Sequence, residues 1–569
     1  MTFKGIGASS GIAIGKVFIY RPFEPVIPES MLEDSNIPEA ISRLDNARTS
    51  SLTELRSIIA RMTASRHDAE SAIFEAHLEL ADDEDIWEEI KETVQEGINP
   101  FQAVDTVFNT YIDIMASNDD ELMKERAADL KDIKKRILRN LSGQPESDLS
   151  TLDEAVIIAA RDLLPTDTAT MDRDKVLGIL TESGGITSHS AIIARSYAIP
   201  AVLGMKDVLR SLEEGSTVIL DGEEGLLITA PDENMIRNYD AKQKKYRAHK
   251  EIVEKFRSVP CATADGIPVS IGVNLGNSDD EALKSAVFAD FNGLFRTEFL
   301  YMQSKELPSE EKQFDAYKKL LQAFREKPVV LRTLDIGGDK ELECMDLPKE
   351  ENPFLGKRAL RLCFDNDKLF LTQLRAALRA SVFGNLWIMF PMVGTMEDWD
   401  RAMNYVKRAK EELDKDNIPY SHDIKYGIMI EIPAIALMAE EAAREVDFAS
   451  IGTNDLCQYT LAVDRGNPEL TSYYQMYSPA VFRLISGIAA AFAKAGKPLS
   501  VCGEMGGDKA AALVLAGLGI RKLSMSESSI ADIKYVLSTK TSDELQEIAR
   551  QALSFRTAGE TESYLRDLL

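Results

Sequence analysis

The residue best placed for nucleophilic chemistry in this 569-residue chain is His189. It stands in Gly184-Gly185-Ile186-Thr187-Ser188-His189-Ser190, where a glycine pair follows an apolar run at 176–180 and a helical pattern begins at the histidine. Thr187 or Ser188 can cap that helix, and the uncapped amides of its first turn favour an anion beside them. A phosphoryl group on the ring would meet donors already in place. An isolated histidine is by default a structural residue. Here the glycines, the cap and the helix start converge on one imidazole, and the functional reading prevails.

A second set lies far along the chain. Arg296, Arg332, Glu431, Asn454, Asp455 and Cys502 each sit at or just past the C-terminal end of an apolar run. Glu431 and Asp455 offer hard oxygen ligands to Mg²⁺, which takes one or two carboxylates together with substrate oxygens and water. Arg296, Arg332, Arg358 and Arg465, with Lys340, form a cationic group suited to a small anion carrying both carboxylate and phosphate. The competing reading is structural ion pairing, because Glu298, Asp335 and Asp464 lie nearby in sequence. Cys502 ends a strand-like run beside Gly503, and a thiol that stays protonated at neutral pH can donate a proton. Cys261 and Cys363 read as buried apolar fillers.

These residues need a frame. From residue 261 to 569, eight strand-like runs alternate with helical patterns, beginning at 268, 293, 329, 386, 426, 448, 498 and 522. Their number and spacing predict a (β/α)8 TIM barrel, whose active sites form at the C-terminal ends of the strands. Residues 1–30 and 144–230 carry short β-rich runs and read as one α/β domain. An all-helical unit at 31–143 is inserted into it, and 231–260 reads as a helical linker. The chain is thus a multidomain α/β protein.

Charge narrows the partners. With 66 Lys and Arg against 93 Asp and Glu, the net charge of -27 disfavours nucleic acid and anionic lipid. Between Asp68 and Glu121 there are 17 acidic residues and a single lysine, Lys91, which predicts one strongly negative face. The longest uncharged stretch, Ala380 to Met396, spans 17 residues and contains Asn385 and Pro391. A spanning helix needs roughly 20 apolar residues, so no membrane insertion is expected. Five cysteines without CxxC spacing predict a reduced, cytoplasmic protein with neither a disulfide framework nor a thiolate zinc site. Gly5 to Gly11 lacks the dinucleotide-binding spacing, and no GxxxxGK[ST] or HExxH occurs. His67, His77, His249 and His422 lie in charged, helix-like contexts and are expected at the surface.

The motifs GGITSHSAIIAR at 184–195 and SIGTNDLCQYTLAVDRGNP at 450–468 are specific. With GLFRTEFLYM at 293, LRTLDIGGDK at 331, GKRALR at 356 and MIEIPAI at 429, the chain resembles, over essentially its whole length, the enzyme I family of the bacterial phosphoenolpyruvate-dependent sugar phosphotransferase system. The resemblance implies that His189, on a swivelling phosphohistidine domain, accepts a phosphoryl group from phosphoenolpyruvate and passes it to the carrier protein HPr. It further implies that Arg296, Arg332, Asn454 and Arg465 bind phosphoenolpyruvate, with Arg358 and Lys340 nearby. Glu431 and Asp455 would hold Mg²⁺, and Cys502 would exchange a proton with the enolate carbon of pyruvate. The inserted helices would dock HPr, and the barrel would form a homodimer. Ile186 and the Met505-Gly506 pair depart from the family's usual residues. Related ATP-dependent enzymes need a large nucleotide-binding domain, for which the 188 residues before His189 leave no room. A scaffolding protein that binds partners through its acidic helices is the alternative, and it would form no phosphohistidine.

Overall fold

The segment Val156–Ala160 shows why the first unit folds as it does. Ile158 and Ala160 pack into one apolar cluster and Ile157 and Ala159 into another, so the strand is buried on both faces. Continuous apolar runs of this kind belong in the middle of a covered sheet. The computed structural model describes all residues except 22–26, 29, 65–76, 79, 117–120, 144–148, 150, 151, 153, 164–166, 168–170, 186, 187, 303, 305, 338–344, 346–349, 466 and 471. It divides into two units, Met1–Ala248 and His249–Leu569.

The first unit carries an eight-stranded sheet. Its strands are β1 (Thr2–Lys4), β2 (Ile6–Ser9), β3 (Ile12–Tyr20), β4 (Val156–Ala160), β5 (Val176–Thr181), β6 (Ala201–Leu203), β7 (Thr217–Asp221) and β8 (Leu226–Thr229). They lie in the order β1-β8-β7-β3-β4-β5-β6-β2. Strands β3 to β6 are parallel, and the outer pairs are antiparallel.

Strand β3 pairs with β4 from Lys16↔Val156 to Tyr20↔Ala160. Between these neighbours the chain builds helices α1 (Ile37–Ala64), α2 (Glu84–Gln95), α3 (Pro100–Ala116) and α4 (Glu121–Ser142). They close on their own core, which includes Leu44, Trp87, Phe108, Leu130 and Ile137. Helix α2 is sharply two-sided: Ile86, Trp87, Ile90 and Val94 are buried, while Glu84, Asp85, Glu88, Glu89 and Glu92 are exposed. One expectation fails here. His77 is only 2% exposed, its Nε2 lying 2.9 Å from Asp129 Oδ1. A ring that finds a carboxylate partner can leave water at little cost. His249 and His422 are exposed as expected, and His67 lies outside the described residues.

Helix α5 (His189–Ser196) connects the parallel pair β5 and β6, and helix α6 (Glu233–Glu254) leaves the sheet. Lys242 Nζ contacts buried Asp221 at 2.7 Å and Gln243 Nε2 donates to the Ile12 carbonyl at 2.6 Å, so the first part of α6 is tied to β7 and β3. The division between the units falls within this helix.

The second unit is a closed, all-parallel barrel. Its strands are β9 (Ser270–Leu275), β10 (Asn292–Phe295), β11 (Val329–Arg332), β12 (Leu386–Phe390), β13 (Lys425–Ile430), β14 (Phe448–Ile451), β15 (Leu499–Val501) and β16 (Lys522–Met525), and β16 closes on β9. The expected (β/α)8 TIM barrel is present. Along β14, Phe448 joins an interior cluster with Leu294, Val330, Met389 and Met429, whereas Ala449 and Ile451 face the surrounding helices. This period-two alternation makes the interior a packed core rather than a pore. Among the described residues, no helix is long and apolar enough to cross a membrane.

Candidate functional site

The C-terminal mouth of the barrel encloses a cavity of about 320 Å³. Arg296 follows β10, Arg332 is the last residue of β11, Glu431 follows β13, Asn454 and Asp455 open the helix after β14, and Cys502 follows β15. All six line the cavity, together with Arg358 and Arg465. Strand ends scattered over 200 residues of sequence thus converge because a closed parallel barrel delivers every strand to the same face. Lys340, the remaining expected cation, lies outside the described residues.

Most of the charges in the mouth alternate in sign and touch. Arg332 Nη2 donates to Glu298 Oε1 at 2.8 Å, and its Nη1 is 2.8 Å from Asp335 Oδ2. Asp335 also accepts from Arg358 Nε at 3.2 Å and Nη2 at 3.0 Å. Arg358 Nη1 continues to Asp455 Oδ1 at 3.3 Å, and Arg465 Nη2 lies 3.9 Å from Asp455 Oδ2. Burial opposes the charge on Arg332, but Glu298 and Asp335 outweigh it and raise the guanidinium pKa; Asp335 and Asp455 do the same for Arg358. The ion pairing that the sequence suggested for these arginines is therefore present. Arg332 and Arg358 are held by carboxylates, and both line the cavity, as do Asp335 and Asp455. Arg296 differs: surrounding protein and then the neighbouring Arg332 push its pKa down, so the mouth has an excess of positive character there.

Glu431 is the strained carboxylate. It is wholly buried, its Oε1 accepts the Met392 amide at 2.6 Å, and its Oε2 has no hydrogen-bond partner among the described residues. Burial first, then Asp455 and Asp335, raise its pKa well above the usual carboxylate range. Met392 supplies its amide from a left-handed backbone, φ 54°, a strain of the kind held at functional sites. An orphaned buried carboxylate oxygen beside a second carboxylate is what a hard divalent cation would satisfy, so the residues fit Mg²⁺.

Neighbouring loops lock the remaining groups. Asn454 Nδ2 donates to Glu504 Oε1 at 3.2 Å and its Oδ1 accepts the Glu504 amide at 2.9 Å, clamping the segments after β14 and β15 together. A Cβ at Gly503 would stand 2.0 Å from Thr453 Oγ1, so only glycine allows that approach. Gly337, at φ 109°, turns the chain after β11 against the Lys357 carbonyl. Cys502 is buried, and desolvation raises its thiol to about 11. It therefore carries its proton throughout the neutral range.

Sequence reasoning missed a supporting residue one layer back. Gln373, on the barrel helix Asp367–Ala380, accepts the Leu334 amide at 2.8 Å and donates to Thr297 Oγ1 at 3.2 Å. Thr297 in turn donates to the Arg332 carbonyl at 3.1 Å. A glutamine on a helix carries no sequence signal for this. Only its burial, 1% exposed among apolar neighbours, reveals it.

In the first unit, His189 is the first residue of α5, and Ser188 is its N-cap, accepting the Ala191 amide at 3.3 Å. The expected cap is thus present at Ser188; Ile186 and Thr187 lie outside the described residues. His189 belongs to the first unit and the barrel mouth to the second.

Comparison with known proteins follows the same division. Residues 4–126, 152–225 and 250–542 match the families described as PEP-utilising enzyme, N-terminal; PEP-utilising enzyme, mobile domain; and PEP-utilising enzyme, PEP-binding domain. The phosphoenolpyruvate-protein phosphotransferase of Geobacillus stearothermophilus is 44% identical over 566 residues, covering 99% of this chain and 98% of the relative. That of Bacillus subtilis (strain 168) is 42% identical over 565 residues, 99% of each chain. An enzyme I protein solved by NMR shares 40% identity over 43% of this chain and 99% of its own, with a TM-score of 0.40. The capped helix at His189, the arginine- and carboxylate-lined barrel mouth and this near-complete coverage lead to one conclusion: the chain belongs to the phosphoenolpyruvate-protein phosphotransferase family.

Proposed function

We propose that this enzyme moves the phosphoryl group of phosphoenolpyruvate onto His189 and then onto the carrier protein HPr, releasing pyruvate as the first step of sugar phosphotransfer. The observation that carries the reading is the barrel mouth, where four arginines and an asparagine face one cavity whose dimensions suit a small anion. Arg296, Arg332, Arg358, Arg465 and Asn454 bind the carboxylate and phosphate, and Lys340 joins them. Guanidiniums held by carboxylates give fixed donors, which lowers the reorganisation needed as charge shifts in the transition state. His189 attacks phosphorus through a neutral ring nitrogen as the bridging oxygen leaves with the enolate. Cys502, protonated at neutral pH, gives its proton to the enolate carbon.

In this reading Glu431 and Asp455 would hold Mg²⁺, which would supply positive charge to the transferring phosphoryl group. The orphaned Glu431 oxygen supports it. Because His189 and the mouth belong to different units, the ring must reach the mouth for one transfer and HPr for the next. We assign that swivel to the linker at 231–260, between a phosphohistidine domain (1–30 and 144–230) and a barrel domain (261–569). The inserted helical domain, 31–143, docks HPr, whose positive face would complement the exposed carboxylates of α2. Dimerisation through the barrel and a cytoplasmic location complete the proposal.

Incubation with labelled phosphoenolpyruvate tests it directly. The chain should acquire acid-labile label and release pyruvate, and His189→Ala should acquire none. Full labelling of that variant would remove His189 from the mechanism. Chelating Mg²⁺ should stop labelling by phosphoenolpyruvate yet spare transfer from phosphorylated HPr back to His189.

A further inference from the structure

Cys502 turns into the barrel interior, where it packs with Leu294, Val330, Met389, Met429 and Phe448. The adjacent strand β14 runs parallel to β15 with Ser450 opposite Ser500. Side chains alternate along a strand, so Phe448 and Ser450 share the inward face of β14. Cys502, two residues beyond Ser500, therefore stands one layer above Ser450 on the neighbouring strand. The Ser450 hydroxyl is fully buried and has no hydrogen-bond partner among the described residues. Such a group is costly to leave unpaired, and native structures hold few of them. The thiol itself points elsewhere: Cys502 Sγ donates weakly to the Ile451 carbonyl at 3.7 Å. The Cys502 backbone is fixed by Asn274, whose Nδ2 donates to its carbonyl at 2.9 Å.

We propose that Ser450 is a positioning residue for proton transfer by Cys502, its hydroxyl held unpaired so that it can donate to the thiolate formed when Cys502 gives up its proton. The inference rests on the reading of Cys502 as the proton donor. In that step the S–H bond breaks and its electron pair stays on sulfur. The enolate π pair takes the proton at C3, and the oxygen lone pair restores the C2 carbonyl of pyruvate. One negative charge passes from the enolate to sulfur, and solvent water later returns the proton. Ser450 forms no bond to substrate. It is a donor aimed where charge develops, and the neutral thiol leaves it idle.

The charged groups facing Cys502 are Arg332 at the end of β11, Arg296 after β10 and Glu431 after β13. Burial raises the thiol pKa most, Ser450 then lowers it, the two arginines act in the same direction as Ser450, and Glu431 opposes them. Removing the hydroxyl thus predicts a weaker acid.

The test measures the pH dependence of Cys502 alkylation by iodoacetamide in the metal-free full-length chain, located by peptide mass spectrometry. In parallel, exchange of pyruvate methyl protons for deuterium is followed in the chain with Mg²⁺. Ser450→Ala should move the alkylation midpoint up by about one pH unit, a typical effect of losing a donor to the charged form. It should lower kcat for exchange about tenfold with KM for pyruvate unchanged. Ser450→Thr keeps the hydroxyl and should recover both. Ser450→Gly serves the same comparison if the alanine variant unfolds. An unmoved midpoint in the hydroxyl-free variants, or a threonine variant as impaired as alanine, overturns the role of Ser450. Cys502→Ser separates the two readings: if it exchanges at the normal rate, Cys502 is not the donor; if it is inactive while Ser450→Ala behaves as wild type, only the Ser450 inference falls.

Discussion

The barrel mouth and helix α2 are both rich in charged residues, yet they use charge in opposite ways. In the mouth, Glu298, Arg332, Asp335, Arg358, Asp455 and Arg465 alternate in sign, and most are nearly excluded from water. On α2, Glu84, Asp85, Glu88, Glu89 and Glu92 share one sign and stand in solvent. Buried charge must be paired and its geometry is thereby fixed, whereas exposed charge is screened within about 10 Å and fixes nothing locally. The mouth is accordingly suited to orient a small ligand, and the helix to attract a large basic one.

Breaking the alternation should have the largest effect. Asp335→Ala leaves two buried guanidiniums facing each other and should cost about 3–5 kcal/mol of stability, read by denaturant unfolding. A loss under 1 kcal/mol would mean that the mouth is wetter than its burial indicates. Arg332→Lys keeps the charge but loses the fork shared between Glu298 and Asp335. Turnover with phosphoenolpyruvate should fall roughly 100-fold while the unfolding midpoint moves little.

Glu431 sharpens the comparison through pH. Its raised pKa means that the folded chain keeps a proton which the unfolded chain, with a carboxyl near 4.3, releases. Stability contributed by this group is therefore complete below that value and is lost as pH rises toward the folded pKa. Without Mg²⁺, Glu431→Gln should lack this decline and be more stable than wild type at pH 8 but not at pH 4. Parallel stability profiles would contradict the burial argument.

On α2 the effects should be smaller and salt-dependent. Replacing Glu88 and Glu92 by glutamine should weaken HPr binding several-fold at low ionic strength, with the difference shrinking as salt is added. Labelling by phosphoenolpyruvate should be unaffected. Smallest of all, Asp45→Ala removes the partly exposed pair with Lys91, 2.7 Å apart, and should change stability by at most about 1 kcal/mol.

Much of the mouth is legible before folding because polar side chains at strand ends carry a positional signature. Arg296, Arg332, Glu431 and Cys502 each follow an apolar run, and the capped glycine-rich turn before His189 is a local signal. Residues that act through others are silent. Nothing in the sequence separates Gln373 from a surface glutamine, or marks the Ser450 hydroxyl as unpaired, because both properties arise only from neighbouring strands and helices. His77 is the reverse case: its charged sequence context pointed outward, yet Asp129, 52 residues away in sequence, drew it inside.

The sequence by itself determined the alternation of strands and helices in the second unit, the insertion between β3 and β4, the acidic balance and the residue types at the strand ends, since these follow from local periodicity and composition. Only the tertiary structure decided which arginine pairs with which carboxylate, that burial raises the pKa of Glu431, and that a serine faces the thiol. Those outcomes depend on distances between segments far apart in the chain and on how much water each is denied, and hydrophobic periodicity encodes neither.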